Sequence, residues 1–260
     1  MTEKTVTSQS NLSAALANKA AAGTEVGVTV KSLLDSPGVK KRFEEVLKNR
    51  APQYMTSIIN LYNSENSLKN CDPMSVVASA MVAASLDLPV DKNLGYAWVV
   101  PYKNRASFQL GYKGYIQLAL RTGQYRFINA VQVYEGELVK WDRLTEELQL
   151  DESKRTSDKI VGYCGYFELL NGFKKTVYWT KEQIEIHKKR FSKSDFGWNK
   201  DWDAMALKTV IRNMLSKWGI LSVEMQTAYS KDLETKVEYG QEDEDGVIEA
   251  DFSIIYDEHE

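Results

Sequence analysis

"GYAWVVPYKNRASFQLGYKGYIQLALRTGQYRF", residues 95–127, divides the chain into two kinds of sequence. Its first half reads as two short strands around a turn near Lys103-Asn104, with Pro101 limiting ladder pairing on one side. Its second half, Gly111 to Gly123, has helical spacing and a glycine where a helix closes. What precedes Gly95 is helical in pattern, and strand-like segments follow Gly123.

On the N-terminal side, Ser36-Pro37 offers an N-cap followed by proline at the first helical position. Val39, Phe43, Val46 and Leu47 give that helix one apolar face. Pro52 opens a second helix, with Ile58, Ile59 and Tyr62 facing inward. Asp72-Pro73 starts a third, "PMSVVASAMVAASLDL", apolar nearly all round and therefore expected at the centre of the fold. On the C-terminal side, "RFINAVQVY", "IVGYCGYFELL" and "FKKTVYW" read as strands. Asn171-Gly172 between the last two is a strong hairpin signal. Thr180 to Gln183 matches a capping box for a helix through about Arg190. "WDAMALKTVIRNMLSKW" then makes a long, final helix.

The expected class is α+β, a largely antiparallel sheet with hairpins packed against helices. Residues 1–30, rich in Ala, Ser, Thr and Asn, read as a mobile arm, residues 31–236 as the core and residues 237–260 as an acidic, disordered tail. No apolar run approaches the roughly 20 residues that span a bilayer, and the N-terminus lacks the apolar stretch of a signal peptide. Cys71 and Cys164 stand apart without metal-ligand spacing, which suits a reducing cytoplasm.

The formal net charge of −3 hides a segregation. From Trp218 onward thirteen acids face two lysines, so residues 1–217 carry +8. A basic body with an acidic tail suits a polyanion-binding protein, although the tail serves equally as a solubilising appendage. No acid occurs between Asp91 and Glu135, while Lys92, Lys103, Arg105, Lys113, Arg121 and Arg126 do, among nine aromatic residues. Lys113, Gln117 and Arg121 recur at helical spacing as one polar stripe, with Ile116, Ala119 and Leu120 left for the core. Solvated faces normally mix charge signs, so this segregation points to phosphate contacts, with rings such as Tyr112 as platforms for bases.

A second basic cluster, Lys188, Lys189, Arg190 and Lys193, lies beside Phe191, Phe196 and Trp198, of which Phe196 and Trp198 are stacking candidates. Lys208 and Arg212 fall four apart on the next helix, away from a Trp202, Ala206, Val210, Met214, Trp218 row. The two basic surfaces are either opposite walls of one groove or unrelated solvated patches. Catalysis has little support. There is no G-x-x-x-x-G-K-[ST] loop, and His187 has no nucleophile or ligand partner nearby in sequence. Asp195, Asp201 and Asp203 are possible Mg²⁺ ligands of a nuclease, or simply caps and solvated acids.

Four blocks in order, "DPMSVVASAMVAASLDL", "GYAWVVPY", "GYKG" and "MALKTVIRNML", make the chain resemble the RecT family of phage-encoded single-strand annealing recombinases, over roughly residues 30–230. The resemblance implies a non-enzymatic protein, needing neither ATP nor another cofactor, in the cytoplasm of a bacterial host. Such a protein coats single-stranded DNA as a ring or helical filament, pairs it with a complementary strand and holds the new duplex. It works beside a phage exonuclease and, in this reading, a host single-strand binding protein. Lys113, Lys208 and Arg212 fall on family motif positions and are the first expected DNA contacts. Lys103, Arg105, Arg126 and Lys188 to Arg190 extend that set by charge. A single-strand binding protein or nucleic-acid chaperone without annealing activity is the alternative.

Overall fold

A computed structural model of the chain describes residues 28–192 and 195–237. Lys193, and the expected arm and tail apart from residues 28–30 and 237, lie outside these residues. The first layer is helical: α1 (Val30–Asp35), α2 (Pro37–Leu47), α3 (Ala51–Ser64) and α4 (Pro73–Ser85). Pro37 stands in the first turn of α2, yet the Ser36 hydroxyl donates back to the Leu33 carbonyl rather than capping the helix. Phe43 and Leu47 are buried as the spacing predicts, but Val46 is 43% exposed because it sits at the edge of the stripe. Asp72 caps α4 by accepting from the backbone N–H groups of Met74 and Ser75. Val76, Val77, Ala80, Ala83 and Ala84 are buried around the circumference of α4, which makes it the centre of this layer.

The decisive stretch folds as read. Strands β1 (Ala97–Tyr102) and β2 (Arg105–Leu110) pair antiparallel, Ala97 opposite Leu110 and Tyr102 opposite Arg105, around a turn in which Lys103 takes a positive φ of 53°. The hairpin lies on α4, where the Ser75 hydroxyl accepts from the Ala106 N–H and the Ser79 hydroxyl donates to the Ala106 carbonyl. Helix α5 (Tyr112–Arg121) follows, with Tyr115, Leu118 and Ala119 buried. Leu120, expected inside, is 46% exposed.

The second layer is a three-stranded antiparallel sheet in the order β3 (Tyr125–Tyr134), β6 (Ile160–Leu169), β7 (Lys174–Thr180). Gly172 turns the β6–β7 hairpin at φ 88°. A small hairpin, β4 (Leu138–Asp142) with β5 (Glu147–Leu150), is inserted between β3 and β6. The fold is therefore α+β with antiparallel strands divided among three separate sheets. Helix α6 (Lys181–Phe191) begins with the predicted capping box, the Thr180 hydroxyl accepting from the Gln183 N–H and the Gln183 side chain from the Thr180 N–H. Short α7 (Phe196–Lys200) leads to α8 (Trp202–Trp218).

Helix α8 joins the layers. It packs on β3, β6 and β7 on one side and on α5 on another. Ala206, Val210 and Met214 are fully buried. Gly165 of β6 leaves the space they need, since a β-carbon there would stand 3.0 Å from Val210. Trp218, placed in the same row by sequence, is instead exposed at the helix end. Nor is α8 the last helix: α9 (Val223–Val237) docks against β2 and α5, burying Met225 and Ala228. Cys71 and Cys164 are free and buried, and burial pushes the Cys164 thiol up to about 12. Among the described residues, no helix is long and apolar enough to cross a membrane.

Candidate nucleic-acid interface

Between the β1–β2 hairpin and the β7 side of the sheet runs a cleft of about 1840 Å³, with one face of α8 along it and α9 at one end. Two glycines set the position of its first wall. A β-carbon on Gly111 would collide with the Gly95 carbonyl oxygen, and one on Gly114 with that of Tyr96. The "GYKG" segment therefore lets the first turn of α5 sit directly on the backbone before β1, and the Gly111 N–H donates to the Tyr96 carbonyl at 2.9 Å. Lys113, between the two glycines, is carried to the cleft with Tyr112. It is exposed and makes no ion pair among the described residues.

Lys208 and Arg212 also line the cleft, from α8, but they are not a solvated pair. Lys208 is 8% exposed, and its ammonium donates to Asp232 of α9 at 2.9 Å. Asp232, 1% exposed, also accepts from the Leu110 N–H at 3.2 Å and from the Tyr115 hydroxyl at 2.9 Å. Burial, with the Asp232 charge adding to it, holds the Tyr115 hydroxyl well above the usual phenol range, so it stays a donor. The Arg212 Nε lies 4.0 Å from Asp232, and this buried nitrogen has no hydrogen-bond partner. Two cations share one carboxylate, which leaves net positive charge in the cleft wall.

Lys188 is the fourth predicted cation in the cleft, paired with Asp195 at 2.8 Å and 5.6 Å from the Trp202 ring centre. The others lie elsewhere. Lys103 and Arg105 are exposed at the hairpin tip, outside the cleft lining. Arg121 donates to the carbonyls of Leu86 and Asp87, both at 2.7 Å, and so closes the C-terminal end of α4. Arg126 pairs with Glu168 of the neighbouring strand at 2.9 Å. Gln117, Lys189 and Arg190 do not line the cleft, and the Arg190 guanidinium rests 5.1 Å from the Phe191 ring centre. Of the stacking candidates, Tyr112 lines the cleft. Trp198 is buried, its ring 4.9 Å from Trp202 and its N–H donating to the Ser192 hydroxyl, so it supports the wall rather than offering a face. The Phe196 side chain lies outside the described residues.

Sequence reasoning missed the opposite wall. Arg143, Lys175 and Lys217 add cations there, and Trp141, Trp179 and Trp218 add rings, while on the hairpin side Lys200 stands 5.6 Å from the ring centre of Trp98. Lys175 pairs with Glu146 and lies 3.5 Å from the Trp218 ring centre. The adjacent Lys217-Trp218 pair at a helix end was a legible signal. Lys175 on a hairpin strand was not, because only the fold brings it to Trp218.

The three candidate metal ligands have other partners. Asp195 pairs with Lys188, Asp201 caps α8 by accepting from the Ala204 N–H, and Asp203 accepts from the Tyr163 hydroxyl at 2.6 Å. Among the described residues no group of three His, Cys, Asp or Glu side chains is placed to hold a metal. What the cleft offers chemically is fixed positive charge interleaved with aromatic faces, which fits a sugar–phosphate chain bearing bases.

A family model described as the RecT family matches residues 52–246, three quarters of the chain. The chain is 65% identical over 231 residues to the "Uncharacterized protein YqaK" of Bacillus subtilis (strain 168), covering 89% of this chain and 80% of that protein. It is 27% identical over 271 residues to "Protein RecT" of Escherichia coli (strain K12), covering 98% of each.

Proposed function

The chain belongs to the RecT family, which supports a role in DNA recombination, and from that premise we propose that it anneals complementary single strands without ATP. The observation that carries this reading is the cleft, with Lys113 and Lys200 on the hairpin side, Lys175 and Lys217 on the other and Arg212 on the α8 face, all among aromatic rings. Annealing is slowed by repulsion between two polyanions and by pairing within each strand. Cations along the cleft lower the first barrier, because each neutralised phosphate releases counterions. A strand held extended by its backbone cannot fold on itself, which lowers the second. Recognition then belongs to base pairing, and the protein contributes only shape and charge.

A cleft of this size grips a short run of nucleotides, so cooperative coating requires several copies in a ring or filament. Residues 31–236 form the annealing core in this reading. The setting is a bacterial cytoplasm, beside an exonuclease that produces the single strand and a host single-strand binding protein.

The test is to mix two complementary oligonucleotides, with and without the protein, in the absence of ATP, and to follow duplex formation on a gel. Faster duplex formation is the expected result. Protection of the single strands with no acceleration would leave a binding or chaperone protein instead. Fragments appearing on addition of Mg²⁺ would point to a nuclease and overturn the proposal.

A further inference from the structure

Of the six tryptophans, Trp218 alone is more than a third exposed, at 38%, and it lies in the cleft. The others are engaged. Trp198 packs on Trp202 at 4.9 Å, and Trp141 and Trp179 stand edge-on to Tyr178 and His187. An indole is among the largest apolar surfaces a side chain carries, and leaving it in water forgoes that burial. This ring is nevertheless held rather than loose. The Lys175 ammonium lies 3.5 Å from its centre, and Lys175 is itself only 11% exposed and ion-paired to Glu146 of the β4–β5 turn. A cation fixed against a ring orients it, since the attraction depends on the ammonium standing over the ring.

Next to it, Lys217 is exposed, with its ammonium 5.6 Å from the same ring and no acid partner among the described residues. An oriented ring beside an unpaired cation offers the two contacts that one nucleotide can make, base on the indole and phosphate on the ammonium.

We propose that Trp218 is a nucleobase-stacking station of the cleft, oriented by Lys175 and completed by Lys217 as the phosphate contact for the same nucleotide. The proposal rests on the single-strand reading above and adds a site to it. Stacking on an aromatic side chain is tolerant of sequence, because every base has a flat face, and it suits a protein that must accept any strand.

The experiment measures binding of full-length protein, by fluorescence anisotropy, to a dT oligonucleotide and to an abasic oligonucleotide of equal length. Trp218→Ala should weaken dT binding about tenfold and leave abasic binding within about twofold of wild type. Trp218→Phe should recover most of the loss, and Lys217→Ala should weaken both oligonucleotides alike. Equal losses on the two oligonucleotides for Trp218→Ala, or no loss on either, would overturn the stacking site. A change in the DNA-free sedimentation coefficient of Trp218→Ala would instead assign the ring to a contact between copies of the chain. Because Trp218 is exposed, the urea midpoint of this variant should match wild type, and a collapsed midpoint would show a structural role. Failure of the wild-type protein to bind dT would sink the single-strand reading itself, and the stacking site with it.

Discussion

Arg121 and Arg126 stand in the most basic stretch of the sequence, and neither lines the cleft; Lys208 and Arg212 are half-hidden in a helix and both do. In the acid-free span 92–134, Lys113 reached the cleft without an ion pair among the described residues, while other cations found acids and carbonyls from other segments once the chain folded: Arg126 met Glu168, Lys92 met Glu65, and Arg121 met the end of α4. On α8, two cations four residues apart met one buried acid from α9 and were left with an excess of charge. A run of like charges along a sequence is therefore only a supply. Where it acts depends on which acids the fold returns to it.

Five substitutions can break or sharpen this contrast. The largest effect should come from Asp232→Asn, which leaves the buried Lys208 ammonium without its counter-charge and costs about 3–5 kcal/mol. The urea unfolding midpoint reads this, and an unmoved midpoint would mean that α9 does not depend on the pair. Arg121→Ala should cost about 1–2 kcal/mol by uncapping α4, with single-strand affinity unchanged. A matching loss of affinity would return Arg121 to the DNA surface.

Lys113→Ala and Arg212→Ala should each flatten the plot of log affinity against log salt by about 0.7 per lost phosphate contact, with no dependence on sequence. If neither slope changes, the cleft does not hold the backbone. The smallest effect belongs to Arg126→Ala, whose ion pair is 60% exposed on the arginine side and should contribute under about 1 kcal/mol. Its salt slope should equal that of wild type, and a drop like that of Lys113→Ala would erase the distinction between cations that line the cleft and those the fold has paired elsewhere.

Most of the fold was legible because local chemistry and packing agreed. Asp72-Pro73, Thr180 with Gln183, Gly123 and Asn171-Gly172 each mark a boundary found in the structure. The β4–β5 hairpin was missed because neither strand has a buried face: Lys140, Glu147 and Gln149 are exposed, and regular alternation is confined to the four residues of β5. Helix α9 was missed because acids dominate its surroundings, while the buried Asp232 looks no different in sequence from the exposed Glu224.

The site was half legible. "GYKG" identified Lys113, and the α8 spacing identified Lys208 and Arg212, though not that one of them is buried. The second wall gathers Arg143, Lys175 and Lys217 from three separated segments. No window along the sequence contains that arrangement.

The close contact of Gly111 and Gly114 with the backbone at Gly95 and Tyr96 has an evolutionary consequence. On this flank, main chain rests on main chain, and a single added methyl group would pry it apart, so side-chain drift has almost no room. The opposite flank is built of long side chains on strand faces and helix ends, where exchange is cheap. Divergence in what such a molecule grips should accumulate on that second flank, while the first keeps the gauge.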